Sequence, residues 1–134
     1  VWLVDASVWV SLVERDSPHR EAAASLVRNG GGRLGALDLT LYEIGNAVGV
    51  KQDDAVEAGR VIRLLLRCCR DRVFAIDAEL LDSALHLAGE HRLTAYDAAY
   101  VAAARRQGWT LVSTDIADLV SKGLAVTPDA AVYP

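Results

Sequence analysis

Short apolar runs alternate along this chain with longer segments whose hydrophobic positions recur every three or four residues. Residues 1–5 (VWLVD) read as a buried strand that ends in a carboxylate, and Ala6-Ser7 open a helix through VWVSLV. Ser17-Pro18 starts a second helix, with Ala22, Ala23, Leu26 and Val27 as its apolar face, and the glycine-rich stretch 29–32 ends it. A second strand is predicted over 34–37, and Thr40 begins a helix carrying Leu41, Ile44, Ala47 and Val48. Asp53 opens a longer helix to about Arg70, and a third strand follows over 73–76. Helices over 78–91 and 94–107, a strand over 109–113, a short helix over 115–121 and a fifth strand over 124–126 complete the chain. Strand and helix alternate throughout, which is the signature of an α/β fold in three layers: a five-stranded parallel sheet flanked by helices.

Turned on its axis, the long helix from Asp53 places Arg60, Arg63, Arg67 and Arg70 in one quadrant, with Val61, Leu64, Leu65 and Cys68 opposite. Ile62, Leu66 and Cys69 widen the apolar arc beyond what one sheet needs. This predicts a second apolar surface for a subunit or a partner.

At 134 residues the chain fits one domain, 1–134, with 52% hydrophobic and 24% charged residues, a globular balance. No apolar run is long enough to span a membrane and no signal-like segment opens the sequence, so a cytoplasmic protein with no membrane association is expected. Cys68 and Cys69 are adjacent and form no spaced metal motif with the three histidines; they read as reduced packing residues. His19, His86 and His91 fall in helix bodies or ends and read as surface or packing residues.

Four carboxylates stand where a parallel sheet gathers ligands: Asp5 and Asp115 directly after strands, Glu43 and Asp97 in first turns of helices. If the strands before Asp5 and Asp115 are neighbours where strand order reverses, all four acids share one crevice. Such a set without basic partners repels itself, and a hard divalent cation, Mg²⁺ or Mn²⁺, relieves it. Each acid also has a local use available. Thr40-Leu41-Tyr42-Glu43 and Thr94-Ala95-Tyr96-Asp97 both match a capping box, and Asp5 and Asp115 suit helix N-caps. Capping does not account for the hydroxyls beside the strand-terminal acids, in Asp5-Ala6-Ser7 and Ser113-Thr114-Asp115, which suit the orientation of a carboxylate or of a water on a cation.

The order of Asp5-Ala6-Ser7, Tyr42-Glu43-Ile44-Gly45-Asn46, the stretch Thr94 through Ala104 and Ser113-Thr114-Asp115 resembles a PIN domain, and more narrowly the VapC toxins of VapBC toxin–antitoxin pairs. The resemblance spans essentially the whole chain. It implies a PIN-like fold with a Mg²⁺- or Mn²⁺-dependent endoribonuclease activity, usually in a homodimer, held inactive by a VapB-type antitoxin. Carried over residue by residue, the catalytic, metal-binding acids are Asp5, Glu43, Asp97 and Asp115, with Ser7, Asn46 and Ser113 as orienting groups and Asp118 sharing or replacing the fourth position. Such a site hydrolyses RNA phosphodiesters to 5′-phosphate and 3′-hydroxyl ends without a histidine base.

The net charge of −4 argues against a nucleic-acid partner, but the four acids account for all of it and two divalent cations would offset it. Twelve arginines against two lysines supply candidate phosphate contacts, among them Arg15, Arg105, Arg106 and the Arg60 to Arg70 stripe, which suits an acidic partner equally. Competing folds fit less well. A phosphoryl-accepting receiver wants paired acids after the first strand, and Val4-Asp5 is not a pair; a haloacid-dehalogenase-type phosphatase wants an Asp where Ser7 stands. A non-catalytic PIN-like binding module and an RNA-processing PIN nuclease without an antitoxin are the remaining alternatives.

Overall fold

The computed structural model describes residues 1–133; the expected domain's last residue, Pro134, lies outside them. Four short parallel strands form the sheet: β1 (Trp2–Val4), β2 (Leu34–Leu37), β3 (Val73–Phe74) and β4 (Thr110–Val112), in the order β3-β2-β1-β4. Leu3 pairs with Gly35 on one side and Leu111 on the other, and Val4 pairs with Val112. The chain builds outward from β1 to β3 and then crosses back to lay β4 on the far side of β1. Strand order therefore reverses between β1 and β4, the two strands followed by Asp5 and by Ser113–Asp115.

The alternation of side chains along each strand divides the interior into two cores. Leu3, Leu37 and Leu111 face α5 (Ala78–His91) and α6 (Ala95–Gln107). Val4, Leu34, Ala36 and Val112 face α1 (Ala6–Ser11), α2 (Arg20–Asn29), α3 (Asp38–Ile44) and α4 (Ala55–Cys69). Gly35 belongs to the first face, where Trp109 presses so closely that a Cβ would lie 2.3 Å from its Cζ3; only a glycine strand position admits the indole there. Helix α6 is buried almost all round from Ala98 to Ala104, and its alanines let it sink against the sheet. Its C-terminus is locked to the start of α5 by Arg106, whose two guanidinium nitrogens each donate to Asp77 at 3.1 Å.

Several boundaries depart from the sequence pattern for local reasons. The expected fifth strand over 124–126 reduces to a single bridge, Val112 to Val126, because the chain turns at once into a short helix, α7 (Pro128–Val132), capped by Thr127. The helix expected from Thr40 starts two residues earlier, at Asp38, and continues as a π-helical segment, Gly45–Lys51. Thr40 is consequently not the N-cap; its hydroxyl accepts the Leu37 backbone N–H at 3.2 Å. The second helix begins at Arg20 rather than Ser17. Cys69, assigned to a second apolar surface of α4, is fully buried in the core, while Leu66 is 42% exposed and the arginines of the stripe face solvent. No helix among the described residues is long and apolar enough to cross a membrane.

Candidate active site

The C-terminal edge of the sheet collects the acids. Asp5 follows β1, caps α1, and is 5% exposed; its Oδ1 accepts the Ser7 backbone N–H at 3.1 Å and the Ser7 hydroxyl. Because Ser7 Oγ donates to Asp5, it is free to accept the Thr114 backbone N–H, at 3.0 Å, which stitches the end of β1 to the end of β4. Ser113, fully buried, accepts the Asp115 N–H at 3.0 Å and lies 3.4 Å from Ser7 Oγ. Burial pushes the Asp5 carboxyl up to about 6, against the opposing pull of the Ser113 and Ser7 hydroxyls, and the Glu43 charge pushes in the same direction as burial.

Glu43 comes from the end of α3, half-buried. Its Oε1 accepts the Tyr100 hydroxyl at 2.6 Å. Burial raises the Glu43 carboxyl above the ordinary range, the Tyr100 bond pulls it back, and the Asp97 charge raises it further. Tyr100 itself is 1% exposed and its phenol is held protonated by burial and by the Glu43 charge, so it stays a donor. Its oxygen lies 2.9 Å from Thr40 Oγ1.

Asp97 sits in the first turn of α6, whose N-cap Thr94 accepts the Asp97 backbone N–H at 3.1 Å. Its own carboxylate takes no hydrogen bond from the Thr94 backbone, so the expected capping box is only half formed. Burial raises this carboxyl first, then the charges of Asp115 and Asp118, while the Thr94 side chain and the Lys122 charge act to lower it. Asp115 caps a π-helical turn, Ile116–Val120, by accepting the Asp118 N–H at 2.9 Å. Asp118 is exposed, with Lys122 Nζ 3.9 Å away; that ammonium also donates to the His91 carbonyl at 2.8 Å.

Each acid in this set raises the next: Glu43 acts on Asp5, Asp97 on Glu43, and Asp115 and Asp118 on Asp97. One carboxylate oxygen from each of Asp97, Asp115 and Asp118 lies within 4.8 Å of the others. Oxygens around a Mg²⁺ at its usual distance are roughly 3.0–4.2 Å apart, so small rotations bring this trio into a hard-cation ligand set. Asp5 and Glu43 stand outside that trio, deeper in the crevice. A cleft of about 330 Å³ opens beside them, lined by Ser7, Glu14, Glu43, Asn46, Lys51 and Thr114. Asn46 is exposed on the π-helical segment and makes no hydrogen bond to an acid among the described residues.

Two residues have a part at the site that the sequence did not assign: Thr40, expected only as a helix cap, and Tyr100. A signal was available: Tyr100 is the one phenol on the buried alanine face of α6, one turn after Asp97, and a buried phenol needs a polar partner.

The PIN domain family model matches residues 2–119. Ribonuclease VapC3 of Pyrobaculum aerophilum is 34% identical over 121 residues, which cover 84% of this chain and 88% of that protein. The crystal structure of PAE2754 from the same organism superposes with a TM-score of 0.73 at 29% identity, over 98% of this chain and 85% of that one. Mycobacterium tuberculosis VapC20, described as a sarcin-ricin loop cleaving toxin, gives a TM-score of 0.72 at 19% identity over 92% and 95% of the two chains, a likeness of fold. A toxin–antitoxin complex from Klebsiella pneumoniae gives 0.72 at 16% identity over 96% and 98%, again a likeness of fold. With the family model matching residues 2–119 and a relative 34% identical over 84% of the chain, the chain belongs to the PIN-domain family, among relatives that include a VapC ribonuclease.

Proposed function

We propose that this protein is a divalent-metal-dependent endoribonuclease of the VapC type, the toxin of a toxin–antitoxin pair, cleaving RNA to 5′-phosphate and 3′-hydroxyl ends. The observation that carries this reading is the chain of repulsion linking Asp5, Glu43, Asp97, Asp115 and Asp118, with only Lys122 beside the rim acids and Lys51 on the cleft wall to offset it among the described residues. A divalent cation offsets such a set at neutral pH, where protonation no longer does. Asp97 and Asp115, with Asp118 beside them, and Asp5 and Glu43 beneath are the ligands for Mg²⁺ or Mn²⁺. A divalent cation there acidifies a water and steadies charge on the phosphoryl oxygens.

The protein's own groups do the rest. Ser7 and Ser113 hold Asp5 in one orientation, Asn46 lines the cleft where the strand of RNA lies, and Lys51 on the same wall attracts a phosphate. Hydrolysis to a 3′-hydroxyl end gives the substrate 2′-hydroxyl no required chemical role, so selectivity for RNA comes from shape and single-strandedness. The toxin reading draws on VapC3 and on the Klebsiella complex. A cytoplasmic homodimer restrained by a VapB-type antitoxin is the form that goes with it, with the exposed Leu66 edge of α4 available for such contacts.

The test is RNA cleavage by purified protein. EDTA abolishes it, Mn²⁺ or Mg²⁺ restores it, and Asp97→Asn loses it while folding normally. Cleavage indifferent to chelation, or unimpaired in Asp97→Asn, overturns the reading.

A further inference from the structure

Glu43 is tied to the sheet by a run of hydroxyls whose proton directions are fully determined. An ionised carboxylate only accepts, so the Tyr100 hydroxyl donates to Glu43 Oε1, at 2.6 Å. The phenol has one proton, and it is then used; the contact of 2.9 Å between Tyr100 and Thr40 therefore has Thr40 Oγ1 as donor. Thr40 Oγ1 in turn accepts from the Leu37 backbone N–H at 3.2 Å, a group that only donates. Three hydrogen bonds run the same way, from the last residue of β2, through α3 to α6, and back to the acid on α3. Bonds aligned in this manner polarise one another.

Both relay side chains are enclosed, Thr40 at 0% and Tyr100 at 1% exposure, so neither meets substrate. The relay occupies one oxygen of Glu43 and leaves the other free. It also fixes the carboxylate relative to β2, although Glu43 lies on the last turn of α3 just before the backbone widens into a π-helix. We propose that Tyr100, itself oriented by Thr40, is a positioning residue that presents Glu43 as a single-oxygen ligand to the divalent cation. This rests on the metal-dependent reading above. Partners that orient metal ligands typically carry about 10–100-fold in affinity or activity.

The experiment is calorimetric titration of Mn²⁺ into metal-free wild type, Tyr100→Phe, Thr40→Val, Thr40→Ser and Glu43→Gln, with melting curves of each in EDTA. Phenylalanine keeps the buried ring, so Tyr100→Phe is expected to melt within about 4 °C of wild type yet bind Mn²⁺ roughly 10-fold more weakly. Thr40→Val strands the buried Leu37 N–H, so it lowers the melting temperature more than Tyr100→Phe but weakens Mn²⁺ less. Thr40→Ser keeps the hydroxyl and restores wild-type affinity. A merely structural role cannot rank two variants oppositely on the two readouts. Unchanged Mn²⁺ affinity in Tyr100→Phe beside a lost affinity in Glu43→Gln overturns the positioning role and leaves the metal site standing. If Tyr100→Phe does not fold, equal Mn²⁺ affinity in Thr40→Val and wild type overturns the positioning role in the same way. Failure of wild type to bind Mn²⁺ overturns both.

Discussion

Asp5 lies deep in the crevice with half-buried Glu43 beside it, the carboxylates of both engaged by hydroxyls, whereas Asp97 and Asp115 belong to the first turns of local helical segments and Asp118 is exposed beside Lys122. The inner pair is held in place before anything binds, and burial raises both carboxyls. The rim trio runs outward to the exposed Asp118, and the charges of Asp115 and Asp118 add to the burial that raises Asp97. The difference teaches how a small fold divides the work of holding a cation: two acids are preorganised at a cost to the empty protein, and three adapt. Asp97 joins the halves, because its charge acts on Glu43 while its own carboxyl is raised by Asp115 and Asp118.

Replacing an inner acid tests the comparison most severely. Asp5→Asn keeps an oxygen for the Ser7 donors and the helix cap but removes the charge, so RNA cleavage should fall by more than the roughly 10–100-fold of an orienting partner, measured as kcat/KM. The metal-free protein should at the same time gain stability at neutral pH. The Asp5 carboxyl is raised from 3.8 to about 6 in the folded state, so its favourable contribution is fully present below about pH 4 and is lost as pH rises through 6. That is roughly 3 kcal/mol at most. Melting in EDTA should therefore drop between pH 5 and pH 7.5 in wild type and much less in Asp5→Asn; equal slopes would remove the distinction between inner and rim acids.

Changes at the α6 cap and at the outer two acids, Asp115 and Asp118, should be smaller than those at Asp5 or Asp97. Thr94→Ala removes the N-cap of α6 and should cost about 1 kcal/mol by denaturant unfolding, with a modest fall in cleavage as Asp97 loses its fixed turn. Smallest is the contrast between Asp115→Asn and Asp118→Asn. Asp115 is half-buried and caps a turn, while Asp118 is exposed, so Asp115→Asn should reduce cleavage more and Asp118→Asn should leave stability within about 0.5 kcal/mol. The reverse order would make Asp118 the fourth ligand.

The layered α/β architecture was legible because apolar strand runs and helical spacing alternate cleanly, and the adjacency of β1 and β4 was legible as a condition on Asp5 and Asp115. The expected edge strand at 124–126 was not, since a three-residue apolar run does not reveal that the chain leaves the sheet after one bridge. Helix α7 was written in Thr127-Pro128-Asp129, an N-cap, a proline and a first-turn acid, but at five residues it has no periodicity to read. Thr40 shows why a capping pattern misleads: Asp38 starts the helix earlier, which turns the supposed cap into an inward hydroxyl that meets Tyr100 from sixty residues away. Local spacing named the acids but contained nothing about this long-range contact.

The most direct test of the central claim, that acids from remote parts of the chain form one cation-requiring site, is the melting temperature of metal-free protein titrated with Mn²⁺ at pH 7.5, for wild type and Asp97→Asn. A saturable rise is expected in wild type, worth about 2.7 kcal/mol when Mn²⁺ reaches a hundred times its dissociation constant, and little or none in Asp97→Asn. An identical response in the two proteins, or none in either, contradicts that claim.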